Sequence, residues 1–150
     1  MAASWSACSY GSEYGEAAYC MEQATDRCKM YCGEKNQMYS ALSEELARMY
    51  NAAGRREESL ACHLAVRNQL LKNGYREGSL LLMVDNNMSV VYLDLGKPEE
   101  AIPYLTEALE LTKENGLVGS AVAEPTWNLA RVYRALGDEE KRRYISESRR

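Results

Sequence analysis

Among the residue types in this chain, cysteine has the spacing that most resembles a metal-binding or redox site. Cys28 and Cys32 are four residues apart, and Cys20 lies eight residues before Cys28. On a helix such thiols share one face, where thiolates bind zinc or exchange disulfides, with Cys62 or His63 as a fourth ligand. Zinc sites more often use CxxC turns or pairs of histidines, and free cysteine is common as a small buried side chain. A metal or redox site on these thiols is therefore an alternative, and we expect no cofactor.

No other group of residues predicts catalysis. His63 is the single histidine and stands where the apolar pattern calls for a core residue, so a hydrogen-bonded core histidine is the simpler interpretation. The sequence has no nucleophile elbow, phosphate loop or dinucleotide fingerprint. Adjacent glutamates such as Glu57 and Glu58 point to different sides of a helix. The sequence therefore predicts a protein that is not an enzyme.

The elements that position these side chains repeat along the sequence with an almost constant period. Two sets of markers keep the same register, namely Tyr50, Tyr92 and Tyr133, and Gly54, Gly96 and Gly137. Between the markers, apolar residues recur every three or four positions, as in amphipathic helices. Each glycine stands where it can end a helix. A fixed period of about 42 residues is typical of helical repeat arrays.

The pattern predicts antiparallel helices over residues 2–10, 13–31, 35–53, 56–73, 77–95, 98–115, 120–136 and 138–148. We therefore expect an all-α fold of seven to eight helices. The predicted organisation is one repeat domain over residues 1–150, made of a partial repeat (1–32), two repeats (34–74 and 76–116) and a capping repeat (119–150). The last helix is strongly polar, as expected at the end of an array.

Composition and charge exclude several classes of protein. The net charge of -4 argues against general nucleic-acid binding, which favours a basic surface. No apolar run approaches the roughly 18–20 residues that span a bilayer, so we expect no membrane association. The N-terminal residues lack the basic start and apolar stretch of a secretory signal. The five cysteines are then expected to be free thiols in a reducing, cytoplasmic compartment.

These markers resemble those of tetratricopeptide repeat (TPR) proteins. The fullest copy has a small residue and a tyrosine before the turn glycine and two alanines after it, which are Ser89, Tyr92, Gly96, Ala101 and Ala108. The long period and the segment EEAIPYLTEALEL are similar to the subclass found in kinesin light chains and Pins-type scaffolds. The resemblance implies a right-handed α-solenoid, a TPR-like superhelix of antiparallel helix pairs. It also implies an adaptor or scaffold that binds a peptide or helical segment of another protein in its concave groove.

The groove is expected on the side of each first helix that lies opposite the repeated tyrosine. The predicted partner-binding residues on this stripe are Glu44, Arg48, Asn86, Asn87, Val90, Trp127, Asn128, Arg131 and Arg134. Asn87 and Asn128 each lie five residues before the tyrosine of their repeat. The resemblance implies that an amide at this place grips the main chain of a ligand. An ordinary helix-surface or capping role is the alternative.

The arginines and the tryptophan of this stripe have both a binding interpretation and a structural one. Arg48, Arg131 and Arg134 can bind carboxylates with bidentate forks, or they can form a solvated helix face. Trp127 beside arginines is typical of a binding hot spot, and burial against neighbouring leucines, Leu95 or Leu136, is the alternative.

A second hypothesis assigns the chain to another functional class, a structural assembly module. The apolar segment that carries Trp5 would then pack on another subunit or on a second copy of the chain. Self-association through this N-terminal helix is therefore the alternative to peptide binding.

Overall fold

The fold is all-α over the part of the chain that the computed structural model describes, residues 13–75 and 79–148. The side chains at positions 139, 142, 144 and 148 lie outside this description. Seven helices occupy the described residues, which are α1 (Glu13–Cys32), α2 (Gln37–Ala52), α3 (Arg56–Lys72), α4 (Ser79–Asp94), α5 (Pro98–Glu114), α6 (Ser120–Ala135) and α7 (Glu139–Ser148). The helix predicted over residues 2–10 lies outside the described residues. The other seven predicted helices are confirmed.

The helix boundaries follow from local chemistry. Asn36 caps α2 by accepting a hydrogen bond from the backbone N–H of Met38 at 2.8 Å, so this helix begins at Gln37, two residues later than predicted. Pro98 stands at the first position of α5, where its missing N–H costs nothing. Pro103 and Pro125 are accommodated inside α5 and α6.

The three marker glycines close the hairpin turns in the same way. Gly54 has a φ of 82° and donates to the carbonyl of Asn51 at 3.0 Å, while the next N–H, of Arg55, reaches the carbonyl of Tyr50 at 2.8 Å. This pair of bonds is the Schellman motif, and its positive φ favours glycine. The same two bonds recur at Gly96 and at Gly137. The sequence markers are therefore the residues that end one helix and start the next.

The chain divides into two compact units, the first ending at Asn73 and the second beginning at Gly74. The boundary falls between the two central predicted repeats, and a single domain over residues 1–150 stays a prediction. In the first unit α2 packs on both α1 and α3. Its core includes Ala18, Leu46 and Tyr50, with Met21 and Met49 packed against them.

The second unit contains α4, α5, α6 and α7, each packed on the next, and α4 also contacts α6. Its core residues are fully or almost fully buried, and they include Val84, Met88, Val91, Leu105, Ala108 and Val132. Tyr92 is buried and stacks on Tyr104 with ring centroids 5.9 Å apart. The predicted packing side of α4, which carries Met88 and Tyr92, is thus buried.

No helix in the described part of the chain has both the length and the apolar character that crossing a membrane requires.

Candidate partner-binding surface

Two of the predicted groove residues lie in the first unit, and the structure places them differently. Arg48 is half exposed and forms an ion pair with Glu45, three residues earlier on α2, at 2.8 Å. Glu44 is fully buried, with 0% of its surface exposed. Its Oε2 lies 2.7 Å from Nδ1 of His63, which is itself 1% exposed.

The prediction that Glu44 faces an open groove is therefore wrong. The physical reason is His63 on α3, because a buried imidazole needs a polar partner and the carboxylate of Glu44 supplies it. The interpretation of His63 as a hydrogen-bonded core histidine is confirmed.

In the second unit, four polar side chains form one continuous chain of hydrogen bonds between α4 and α6. Arg131 donates from Nη1 to Oδ1 of Asn128 at 3.2 Å, and Asn128 donates from Nδ2 to Oδ1 of Asn86 at 2.7 Å. Asn86 in turn donates from Nδ2 to Oε2 of Glu124 at 3.1 Å. We call this chain the amide relay. It begins at a cation and ends at a carboxylate, so each amide is polarised in the same sense.

The amide relay is largely shielded from water at its centre. Asn86 is 8% exposed and Asn128 is 7% exposed, whereas Glu124 is exposed. Buried amides must have their hydrogen bonds satisfied. The bond from Asn128 to Asn86 satisfies one group on each of these two side chains. The first helices of two consecutive repeats are thus joined by side-chain hydrogen bonds as well as by apolar packing.

A cavity of about 320 Å³ opens at the Glu124 end of the relay, between α4 and α6. We call it the amide cavity, and its lining includes Ser79, Leu82, Met83, Asn86, Ala121 and Glu124. A second cavity of about 410 Å³ lies at the Arg131 end, between α6 and α7. We call it the arginine cavity, and it is lined by Trp127, Ala130, Arg131, Arg134, Arg143 and Ser146.

Trp127 is 59% exposed, so the alternative of burial against Leu95 or Leu136 does not hold. Arg134 is exposed and Arg131 is partly buried, and both line the arginine cavity with Trp127. An exposed indole beside guanidinium groups on a concave surface has the composition of a binding hot spot.

Asn87 and Val90, the other predicted groove residues on α4, are both partly buried. Asn87 is adjacent in sequence to Asn86, but Asn86 is the one that bonds to Asn128. Direct contact of Asn87 or Asn128 with the main chain of a ligand stays a prediction.

Two features of this surface were not predicted from the sequence, namely the bond between Asn86 and Asn128 and the contribution of Arg143. Asn86 and Asn128 are separated by one full period of the repeat, and this spacing was the available signal for their pairing. Arg143 lies on the polar last helix, which was expected to act as a cap. Its place in the arginine cavity depends on how α7 packs against α6, and no sequence pattern indicates that.

The thiols on α1 have little chemical activation. Cys20 and Cys32 are exposed and Cys28 is partly buried. The pKa of the Cys28 thiol is raised, first by partial desolvation and then by the neighbouring Cys32, which disfavours the reactive thiolate. Within the described ranges, no three cysteine, histidine or acidic side chains are grouped as metal binding requires. A metal or redox role for Cys20, Cys28 and Cys32 gains no support from this geometry.

The arrangement of helix pairs has counterparts among known proteins. Residues 80–141 match the tetratricopeptide repeat family. This segment of the chain therefore has the sequence pattern of tetratricopeptide repeats. The matched segment takes in nearly all of α4 together with α5 and α6, and so includes the whole amide relay.

Solved structures with these repeats have the same fold. A putative kinesin light chain from Podosopora anserina with nearly identical TPR-like repeats superposes with a TM-score of 0.76, at 22% identity over 90% of this chain. BtubC (BKLC) from P. vanneervenii superposes with a TM-score of 0.81, at 18% identity over 91% of this chain. The TPR fold, an α-solenoid of helix pairs in these relatives, is therefore confirmed for this chain.

The chain spans 64% and 55% of the lengths of these two structures. No match to a curated protein was found for it. At these identities the likeness establishes the fold. TPR proteins as a class are protein-interaction scaffolds. The kind of partner must be inferred from the side chains of this chain itself.

Proposed function

We propose that this TPR protein is an adaptor that binds an extended segment of another protein along α4, α6 and α7. The observation that carries the proposal is the pair of cavities at the two ends of the amide relay. Both cavities share α6, where Ala121, Glu124, Trp127, Arg131 and Arg134 follow one another at three- or four-residue steps. Residues with this spacing lie along one face of a helix, so the two cavities form one elongated surface.

The length of this surface suits a short peptide. From Ala121 to Arg134 the helix rises by about 20 Å at 1.5 Å per residue. An extended chain covers about 3.3 Å per residue, so a segment of roughly six residues would reach from the amide cavity to the arginine cavity. We infer that the bound segment is extended and that Asn87 contacts its main chain. Asn128 is 7% exposed and already bonded on both sides within the amide relay, so we assign it the role of supporting the surface from beneath.

The charges at the two ends of the surface favour one direction for the segment. Glu124 lies at the amide cavity, and the arginines lie at the other end. Complementary charges fix the register of a complex and suppress wrong partners. We expect the segment to carry a basic or neutral residue near Glu124 and an acidic group near Arg131.

Trp127 is the residue from which we expect most of the binding energy. Its indole is 59% exposed, so it contributes little to folding and has apolar area left to bury against a ligand. Hot spots are enriched in tryptophan and arginine. Val90 is assigned a weaker role, since it is partly buried. Arg48 lies on the first unit and is paired with Glu45, so we assign it no role on this surface.

The proposal includes an intracellular, cytoplasmic location and no catalytic activity. The four described cysteines are free thiols, which suits a reducing compartment. TPR proteins are generally non-enzymatic scaffolds, and the buried His63–Glu44 pair is closed to substrate.

A structural assembly role is the second candidate, and one observation on the first unit favours it. Met30, Tyr31 and Met38 are large apolar side chains near the α1–α2 turn, and they are 79%, 84% and 60% exposed. Where such side chains form one continuous exposed patch, the patch is typical of an interaction site. The segment with Trp5, on which this hypothesis was first based, lies outside the described residues. Light scattering over a range of concentrations tests this role, which a clean monomer would contradict.

A displayed library of random short peptides, selected on the immobilised wild-type protein, tests the adaptor function. We expect the selected peptides to lose about 30-fold in affinity for Trp127→Ala, as a hot-spot truncation does. The melting temperature should stay unchanged because the side chain is exposed.

The matched control is Tyr14→Ala, which removes another exposed aromatic side chain from the first unit. It should leave peptide affinity as it was. If the selected peptides bind Trp127→Ala as tightly as the wild type, the surface along α6 is not the docking site.

A further inference from the structure

Three arginines from two helices converge on one cavity. Arg131 and Arg134 come from α6, and Arg143 comes from α7, and all three line the arginine cavity of about 410 Å³. Positive charges that line one cavity repel one another, and a nearby negative charge offsets that repulsion. A carboxylate of the chain or an anionic ligand would therefore stabilise the cluster.

The described part of the chain supplies no such carboxylate. Two arginines of the first unit do have acidic partners, since Arg48 pairs with Glu45 and Arg55 pairs with both Glu22 and Glu58. None of the ion pairs among the described side chains involves the three arginines of the cavity. The one hydrogen bond that Arg131 makes with a described side chain goes to the neutral amide of Asn128.

The amide relay prepares Arg131 for a ligand. Its Nη1 is held by Asn128 at 3.2 Å, and Asn128 is held by Asn86 at 2.7 Å. A guanidinium group has five N–H donors, so one bond to Asn128 orients the group and leaves the other donors for an anion. A side chain that is already oriented loses less entropy on binding.

The number of charges points to a phosphate monoester rather than a carboxylate. A phosphorylated side chain carries a charge of about -1.5 to -2 at neutral pH and three strong acceptor oxygens. A carboxylate carries one charge and two oxygens. Arginine forks bind phosphate in a bidentate manner, so three forks match three oxygens and leave less positive charge uncompensated.

The rest of the lining points to a phosphate that is attached to a polypeptide. The volume lies within the roughly 300–1,000 Å³ of pockets that hold whole organic ligands, which is more than a free ion occupies. Trp127 and Ala130 give the cavity an apolar wall against which the residues beside a phosphorylated side chain would pack. A free phosphate ion has no apolar group that could pack against this wall.

We propose that the arginine cavity is a recognition site for a phosphorylated serine or threonine of the partner segment. Arg131, Arg134 and Arg143 bind the phosphate oxygens, and Trp127 packs on a flanking residue. The assignment rests on the proposed adaptor function and names the anionic group at one end of the bound segment. Phosphorylation of the partner would then switch docking on.

The test uses Trp127 as its own reporter. The chain has two tryptophans, so Trp5→Phe in the full-length protein leaves Trp127 as the single one. The probes are a short capped peptide with one phosphoserine between alanines, the same peptide without phosphate, the peptide with glutamate in its place, and inorganic phosphate. Each is titrated at about pH 7.5, above the second phosphate pKa, while the emission of Trp127 is recorded.

We expect saturable binding of the phosphoserine peptide, about tenfold tighter than the glutamate peptide, and no measurable binding of the unphosphorylated one. Arg134→Gln and Arg143→Gln should each weaken phosphoserine binding by about tenfold. Both side chains are exposed, so these variants should keep the wild-type melting temperature. Arg56→Gln, the same change at an exposed position on α3, should leave the affinity within about twofold.

Three results would overturn the assignment. Equal affinity for the glutamate and phosphoserine peptides would show that a single negative charge suffices. Binding that is unchanged by Arg143→Gln would remove the cavity as the site, and inorganic phosphate binding as tightly as the peptide would make it a free-anion site. Each of these leaves the adaptor function standing as long as the display-selected peptides depend on Trp127. If those peptides ignore Trp127→Ala while phosphoserine binds, the adaptor function fails on its own.

Discussion

The two units place a polar side chain at the same position of the repeat and use it in opposite ways. Glu44 on α2 and Asn86 on α4 are one period of the repeat apart. Glu44 turns toward α3 of its own hairpin and meets His63, with both side chains at most 1% exposed. Asn86 reaches α6 of the next hairpin and bonds to Asn128. The position one period after His63 is Leu105, which is apolar and fully buried.

The residue on the second helix of each hairpin offers a physical reason for these two arrangements. With a histidine on α3, the carboxylate is drawn into the hairpin and is lost to any surface function. With leucine at the equivalent place on α5, that imidazole is absent, and the amide of Asn86 bonds to α6 instead. The docking surface that we propose lies on the second unit for this reason.

Breaking the pair in the first unit should have the largest effect on stability. His63→Leu removes the imidazole from a fully buried carboxylate, and we expect the free energy of unfolding to fall by about 3 kcal/mol, the cost typical of an interrupted buried pair. Leucine is chosen because the equivalent position of the second unit accepts it. Equilibrium urea unfolding measures the loss.

The double variant Glu44→Leu with His63→Leu separates the pair from simple packing. Replacing both polar partners with apolar residues of similar size is often neutral, so the double variant should recover to within about 1 kcal/mol of the wild type. A double variant that is as unstable as His63→Leu would mean that shape, and not the buried polar pair, sets the cost.

Breaking the amide relay in the second unit should have an intermediate effect. Asn128→Ala takes a partner from both Asn86 and Arg131, and a buried group that loses its hydrogen bond costs about 1–3 kcal/mol. The control is Asn68→Ala, an amide on the exposed face of α3, which should stay within about 0.5 kcal/mol. Equal losses at the two positions would show that the relay adds nothing to stability.

The smallest expected effect is a change in stability at alkaline pH that depends on Tyr92 and is absent at neutral pH. Shielding from water, followed by the neighbouring Tyr104, raises the pKa of Tyr92 to about 12, against an ordinary value of about 10. Between these values the unfolded chain loses the proton while the folded chain keeps it. The contribution of Tyr92 to stability is therefore constant below about pH 10 and falls as the pH rises toward 12.

Tyr92→Phe should make this alkaline decline shallower, as followed by the melting temperature from about pH 9 to about pH 11.5. Tyr75→Phe, at an exposed position, should leave the decline as steep as in the wild type. Tyr50 in the first unit donates to Glu22 at 2.6 Å, and burial and that carboxylate raise its pKa as well, so part of the decline will persist. A Tyr92→Phe profile that coincides with the wild-type profile would contradict the assignment.

Much of the fold was predictable because its determinants are local and periodic. The tyrosine before each turn and the glycine within it recur once in every repeat, and each glycine ends a helix through its own φ and its neighbours' backbone bonds. These signals can be recognised from residues that are close together in the sequence. For this reason the bounds of all seven described helices lie close to the predicted ones.

The polar contacts of the site were harder to predict because they depend on how two helices are rotated against each other. Asn86 and Asn87 differ by about 100° around α4, and only the packing of α4 on α6 decides which of them meets Asn128. Glu44 was predicted wrongly for a related reason. The periodicity of α2 alone carries no information about His63, which lies on α3. The exposure of Trp127 likewise depends on where α7 lies.

The turns that close each hairpin have a consequence for how such a protein can change over generations. Arg55 and Lys97 begin their helices with no side-chain cap, and the junctions depend on backbone bonds and one glycine. A duplicated gene segment of one period would already encode the glycine that closes its turn. It would require no compensating mutation where it joins the next repeat. Lengthening or shortening by whole modules is therefore a small evolutionary step, whereas an insertion of a few residues inside a module would disrupt the register on which its core depends.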